Sequence, residues 1–176
     1  IERGTLFLLA EELKRFKKEK GLKDFTDLLE DFLNKETLNK FEVLFIDEAQ
    51  DLSLLQWDMV RKIWSRAGKT YIAGDDDQAI FKWAGADPWR FKNQKGNRII
   101  LDQSYRVPRA VQHKALNVIN RIPRDQRVEK SWKSVDREGL FKIHTNPIPG
   151  MDFLKDDWLI LTRTNHLLDK IEVELQ

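Results

Sequence analysis

The chain has 176 residues, with 31 Lys plus Arg against 29 Asp plus Glu, a formal net charge of +2 and no cysteine. That length buries one respectable core or two small ones, and the lack of cysteine excludes a disulfide framework and a cysteine-based zinc site. A near-neutral balance does not announce a nucleic-acid binder, so any such surface must come from local charge asymmetry. No apolar run approaches membrane-spanning length and no signal-peptide pattern precedes the first charges. The expectation is a cytoplasmic or otherwise intracellular protein with no membrane partner. The chain opens at Ile1, without methionine, and is read as a piece of something longer.

Residues 5–20, TLFLLAEELKRFKKEK, place apolar side chains at helical spacing, end on a basic turn and stop at Gly21. Lys14, Lys17, Lys18 and Lys20 read as a solvated face that favours the helix dipole; the alternative is contact with a phosphate backbone. Asp24–Phe32, DFTDLLEDF, predicts a second helix with Phe25, Leu28, Leu29 and Phe32 on one side, capped by Asp24 or Asp27.

Phe41–Asp51 reads FEVLFIDEAQD. Glu42–Ile46 predicts a strand buried on both faces, as in a parallel sheet under helices. It ends in Asp47 and Glu48, at the carboxyl end where open α/β sheets bind ligands. Asp47 suits a hydrated Mg2+ bridging phosphate oxygens, and Glu48 suits orienting or deprotonating an attacking water. The plain alternative is a solvated acidic turn. Ser53 and Gln56 have capping-box spacing and open a helix to about Arg66, in which Trp57 and Trp64 read as packing residues. A second strand over Lys69–Ala73 completes a right-handed strand–helix–strand crossover.

Gly74–Asp87 reads GDDDQAIFKWAGAD, and three consecutive acids are costly to assemble without cations or hydrogen bonds. Asp87 and Pro88 predict a short helix that packs Trp89 and Phe91. Asn97–Leu101 predicts a strand leading into DQSYRVP at 102–108, and a helix runs from Pro108 to about Ile119. The stretch 119–134, INRIPRDQRVEKSWKS, is basic and poorly periodic. Its Arg121, Arg124, Arg127, Lys130 and Lys133 either track phosphates or belong to a flexible loop. Gly139–His144 alternates like an exposed strand, TNPIPGMD is turn-rich, and Trp158–Thr162 predicts a buried strand before a final helix capped by Thr164. His113, His144 and His166 have no metal-ligand spacing.

DEAQD, GDDDQAIFKWAGAD and LDQSYR, in that order, resemble the UvrD/Rep/PcrA helicases of superfamily 1. DFTDLL upstream and WLILTRTN downstream extend the resemblance over most of the chain. It implies an α/β architecture, a partial RecA-like P-loop NTPase fold with a parallel sheet and flanking helices. Residues 1–100 would be the latter part of a first RecA-like domain and 101–176 the beginning of a second. It implies an ATP-dependent DNA helicase or translocase that uses Mg2+ and ATP on single-stranded DNA and duplex junctions, moving 3′ to 5′.

By that resemblance, Glu48 activates the water, Gln78 contacts the terminal phosphate of ATP, and Arg106 stabilises charge on the transferred group. Asp47 holds the metal, and Asp75 helps hold it or its water shell. Tyr105 lies against the adenine, while Gln103 contacts the nucleotide or braces its strand. Phe81 and Trp83 stack on bases, with Phe81 standing where the family often has tyrosine. Arg163 and Asn165 match a segment at the edge of the nucleotide and DNA region. No GK[ST] phosphate loop precedes Phe41 and the later family motifs are missing, so the chain alone is expected to show little ATPase activity. Two alternatives stay open: a non-catalytic DNA-binding or interaction module, and part of a helicase–nuclease.

Overall fold

The computed structural model describes residues 3–143 and 157–175. The expectations placed on His144 and on the TNPIPGMD turns lie outside them. The chain divides into two compact units, Ile1–Asp102 with Leu116–Trp132, and Gln103–Ala115 with Lys133–Gln176.

In the first unit, helix α1 (Arg3–Lys20) ends as its glycine predicts. Gly21 takes φ +64°, its N–H bonds Lys18 O, and Leu22 N–H bonds Lys17 O at 2.9 Å. This paired closure satisfies two carbonyls that the helix end would leave bare. None of α1 is buried, and Leu6, Phe7, Leu9, Leu13 and Phe16 are exposed. Helix α2 (Phe25–Asn34) opens on a capping box in which Asp24 accepts from Asp27 N–H and Asp27 from Asp24 N–H. Both candidate caps therefore act together. Lys62 reaches the other end of α2 and donates to the carbonyls of Phe32, Leu33 and Lys35.

Strands β1 (Phe41–Ile46) and β2 (Ala67–Ile72) are parallel, in a register running from Phe41 opposite Ala67 to Ile46 opposite Ile72. Helix α3 (Leu54–Trp64) is the crossover between them, and its N-terminus carries the Ser53–Gln56 capping box. The core is small: Ile46, Ala49, Trp57 and Val60 are buried, with Leu44, Leu52, Met59, Ile72 and Phe91 packed against them. Trp57 is a packing residue, as its place on α3 predicts.

The expectation that β1 is buried on both faces fails. Phe41, Val43 and Phe45 are exposed, and Phe45 stacks on Tyr71 with ring centroids 5.1 Å apart. A strand is covered on both faces only when layers lie on both sides of the sheet. Among the described residues the sheet has two strands. The strands expected at 97–101, 139–143 and 158–162 do not form either, and Ile99, Leu101, Leu159 and Leu161 are exposed. Apolar β-formers do not hold a strand unless a neighbour satisfies their backbone groups.

Beyond β2 the ladder continues by two bonds, Ala73 N–H to Ile46 O at 2.7 Å and Ala49 N–H to Ala73 O at 3.0 Å. They bring Gly74 alongside the turn that follows the acidic pair. A bridge between Ser53 and Ala86, with Asp87 N–H to Leu52 O at 2.9 Å, ties the end of the Gly74–Asp87 segment to the same turn. Asp87 then caps α4 (Pro88–Lys92), where Phe91 joins the core. Trp89, expected to pack, is exposed beneath Lys92, whose Nζ lies 5.0 Å from the ring centroid.

Helix α5 (Arg109–Ile119) begins in the second unit, and its last residues count with the first. In the second unit, residues 133–139 run along 103–110. Ser104 N–H bonds Lys133 O, Val135 N–H bonds Val107 O, and Arg109 pairs with Asp136 at 2.6 Å and Glu138 at 2.9 Å. Helix α6 (Asn165–Leu175) is the last element among the described residues. No helix among the described residues is long and apolar enough to cross a membrane.

Candidate functional site

The acidic pair sits where β1 gives out. Ile46 is the last strand residue, and a 3-10 turn, Ala49–Asp51, follows at once. Asp47 is exposed and its Oδ1 accepts Glu48 N–H at 2.9 Å. No side chain pairs with its carboxylate among the described residues. Glu48 takes φ +50° and ψ +39°, and is the one non-glycine residue with positive φ among the described residues. Left-handed backbone costs a side-chain-bearing residue roughly 1–2 kcal/mol, so the surrounding structure must hold it there.

Gln50 does the holding. Sequence reasoning passed over this residue, yet it is 1% exposed, a fully buried polar side chain. Its Nε2 donates to Glu48 Oε2 at 2.7 Å and lies 3.4 Å from Asp51 Oδ2. Its Oε1 accepts Asp75 N–H at 2.9 Å. One side chain thus joins the acid after β1 to the backbone after β2. Gly74 makes room for it: a Cβ there would lie 2.6 Å from Gln50 Oε1 and 3.0 Å from Phe91 Cζ. The available signal was a glutamine beside a strand end with a glycine at the neighbouring strand end, and it gains meaning only once the strands are paired.

The chain of bonds continues into the Asp75–Gln78 turn. Asp75 Oδ1 accepts Asp77 N–H at 3.1 Å, and Asp75 Oδ2 accepts Gln78 Nε2 at 2.6 Å. The compensation that three acids demand comes from the basic stretch. Lys130 Nζ is 2.5 Å from Asp75, 2.5 Å from Asp76 and 3.3 Å from Asp77. Arg127 Nη2 pairs with Asp77 at 2.6 Å, and Val128 N–H donates to Asp76 at 2.6 Å. Arg127 and Lys130 therefore serve this turn, neither free to track phosphates nor part of a loose loop. Burial pushes the Asp75 carboxyl up, but the hydrogen bonds from Lys130 and Gln78 and the ammonium charge outweigh it, leaving it below the ordinary value. Burial likewise pushes the Lys130 ammonium down, and its bonds to Asp75 and Asp76 win, leaving it raised.

The structure thus brings Asp47, Glu48, Asp75 and Gln78 into one bonded neighbourhood of the first unit. Phe81 and Trp83 follow on a 3-10 turn, ring centroids 6.5 Å apart at 48°, with Trp83 84% exposed. Gln103, Tyr105 and Arg106 belong to the second unit. Gln103 Nε2 donates to Ser104 O at 2.7 Å and Ser134 O at 3.1 Å, so its amide braces the backbone. Tyr105 and Arg106 are exposed, as are Arg163 and Asn165 around the start of α6. Among the described residues no three His, Cys, Asp or Glu gather as a metal-holding group.

Gly68, Lys69 and Thr70 carry the letters of a phosphate loop but lie inside β2, with Lys69 opposite Val43 and Thr70 opposite Leu44. A phosphate cradle needs a glycine-rich loop leading into a helix N-terminus. Here backbone groups of the tripeptide are committed to a ladder.

A parallel strand pair with its crossover helix, an acidic strand end and a glutamine-bearing turn wired to it define an α/β domain of the superfamily 1 helicase kind. The sequence profile of the UvrD/REP helicase N-terminal domain matches residues 3–98. The chain belongs to that family. It is 33% identical over 147 residues to the ATP-dependent DNA helicase PcrA of Bacillus subtilis, covering 72% of this chain and 20% of that protein. It is 29% identical over 113 residues to PcrA of Staphylococcus aureus, covering 61% of this chain and 14% of that protein. With the ATP-dependent DNA helicase Rep of Buchnera aphidicola it shares 29% over 114 residues, 57% of this chain and 17% of that protein. The chain therefore spans a fifth or less of these curated relatives.

Proposed function

We propose that this chain is part of an ATP-dependent DNA helicase or translocase acting on single-stranded DNA and duplex junctions, with 3′-to-5′ movement, inside the cell. In this reading the fold is a partial RecA-like P-loop NTPase fold. Residues 1–100 are the latter part of one RecA-like domain, and 101–176 begin a second. The observation that carries it is the bonded path from Glu48 through Gln50 to Asp75 and Gln78. A water-activating acid and a phosphate-contacting amide are useful together only if their separation is fixed, and positioning supplies most of the rate in phosphoryl transfer.

Glu48 orients the attacking water and takes up its proton. Gln78 donates its amide to an oxygen of the terminal phosphate, for which an amide is suited because it also accepts from water. Arg106 is assigned the charge that develops on the transferred group, and Tyr105 the face of the adenine. Gln103, already bonded to two carbonyls, keeps the bracing role of its two readings. Asp47 fits a hydrated Mg2+, which takes one or two carboxylates and fills its shell with phosphate and water oxygens. Its carboxylate is exposed and paired with no side chain among the described residues. Bound there, the metal would neutralise charge on the phosphate oxygens. Asp75 shares its carboxylate with Lys130 and Gln78, which leaves the primary ligand role with Asp47. Phe81 and Trp83 offer exposed rings that stack on any base.

The test is single-strand-stimulated ATP hydrolysis by the product of the whole open reading frame, unmodified and as Glu48→Gln. Turnover at least a hundredfold lower in the variant, with ATP still bound, supports the reading. Normal turnover in Glu48→Gln removes the water-activating role.

A further inference from the structure

The basic stretch 119–134 has a use that phosphate tracking does not describe. Of the three acids after Gly74, two have a partner from this stretch besides Lys130. Asp77 pairs with Arg127, and Asp76 accepts Val128 N–H. Asp75 differs, because Lys130 is the one cation that pairs with it among the described residues. Asp75 is also the residue on which the site's bonds converge, through its N–H to Gln50 and its Oδ2 to Gln78 Nε2.

A carboxylate left to itself rotates about its last bond and offers either oxygen to a neighbour. Here Oδ1 carries two donors, Lys130 Nζ at 2.5 Å and Asp77 N–H at 3.1 Å. That leaves Oδ2 for Gln78. The ammonium is well placed to keep this arrangement, since the side chains of Lys130 and Asp75 are 16% and 35% exposed. A charge-assisted hydrogen bond in such surroundings is stronger and better directed than one in open solvent.

We propose that Lys130 is a positioning residue for Gln78, fixing the Asp75 carboxylate so that its free oxygen holds the glutamine amide in one orientation beside the Glu48 acid. The proposal rests on the reading of Gln78 as the phosphate contact. It adds a residue 52 positions further along the chain that touches neither nucleotide nor metal in that reading. A lysine that only neutralised three acids would be replaceable by any arrangement restoring the charge balance. A positioning lysine is replaceable only by a cation that donates to Asp75 from the same position, because without that donor the carboxylate is free to turn.

The experiment has two arms. In this chain, the Gln78 side-chain amide is followed by nitrogen-15 NMR at pH 7, assigned by its loss in Gln78→Ala. The bonded amide is expected to shift toward the solvent-exposed value in Lys130→Ala and to keep its position in Lys130→Arg, with folding checked by urea unfolding. In the product of the whole open reading frame, Lys130→Ala is expected to lower kcat for single-strand-stimulated hydrolysis about tenfold while KM for ATP changes less than about twofold. Lys130→Arg is expected to restore most of kcat. If Lys130→Ala does not fold, Lys130→Gln, of similar length without the charge, is read in its place. A folded variant without the charge whose Gln78 amide is unmoved overturns the proposal, as does an equal loss of kcat in Lys130→Arg. Moved Gln78 resonances together with normal hydrolysis by Gln78→Ala overturn instead the phosphate role of Gln78, and the catalytic meaning of the positioning with it.

Discussion

Gln50 donates its buried side-chain amide to Glu48 Oε2 at 2.7 Å, and this bond secures a glutamate held in left-handed backbone at the end of β1. The same amide group accepts Asp75 N–H at 2.9 Å from across the sheet end. Removing such a bridge leaves donors and acceptors that water reaches poorly, and each such loss costs about 1–3 kcal/mol. The strained acid, its anchor and the neighbouring turn therefore stand or fall together.

Gly74→Ala tests the closeness of that bridge. The added methyl would sit 2.6 Å from Gln50 Oε1 and 3.2 Å from Ala49 N, against backbone as well as side chain. Overpacking of this kind costs about 1–3 kcal/mol. The urea midpoint should fall with an unchanged m-value. An unshifted midpoint would show that Gln50 moves aside freely.

The backbone strain at Glu48 is separable from its carboxylate. Glu48→Ala and Glu48→Gly both lose the bond to Gln50, so their difference reports the φ of +50° alone. Glycine adopts that region without a Cβ clash, and the glycine variant should be the more stable by about 1 kcal/mol despite its freer unfolded chain. Equal stabilities in a denaturant titration would mean that the residue relaxes out of the left-handed region once its side chain is gone.

The Asp75–Lys130 pair sets a pH signature. The Asp75 carboxyl lies below its ordinary 3.8 in the folded chain, where burial, which raises it, is outweighed by bonds from Lys130 and Gln78. Its contribution to stability is present above pH 3.8 and is lost as pH falls through the lower folded value. Lys130 is raised above 10.5, so its contribution holds below pH 10.5 and is lost as pH climbs through the higher folded value. The stability gap between the unmodified chain and Asp75→Asn should be constant over roughly pH 5–9 and narrow below 3.8. A gap that widens in acid would contradict the assignment.

Single-strand binding, on the proposed function, should depend on Trp83 more than on the lysines of α1. Trp83 is 84% exposed, and stacking a base on it is worth about 1–3 kcal/mol with little dependence on salt. Lys17 is committed elsewhere: its Nζ bonds Asp24 at 2.9 Å and Asp27 at 2.7 Å, joining α1 to the cap of α2. Fluorescence anisotropy of a labelled oligonucleotide across a salt series should show weaker binding by Trp83→Ala with an unchanged slope, and near-normal binding by Lys17→Ala. The reverse pattern would move the DNA contact to the basic helix.

What the sequence determined by itself is local. The Asp24–Asp27 and Ser53–Gln56 caps, the Gly21 stop, the Asp87–Pro88 helix start and the strand–helix–strand order all follow from residues a few positions apart, whose geometry hardly depends on the rest of the chain. The motifs carrying the family resemblance are likewise contiguous. Tertiary structure alone decided the rest. Gln50 meets Asp75 across 25 positions, and Lys130 meets Asp75 across 55, so no spacing rule could select them from the other glutamines and lysines of the chain. Burial misled for the same reason. Phe45, Ile99 and Leu161 have the character of covered strand residues, but covering is a property of neighbouring layers. Local chemistry names the element, and only the packed chain says what lies against it.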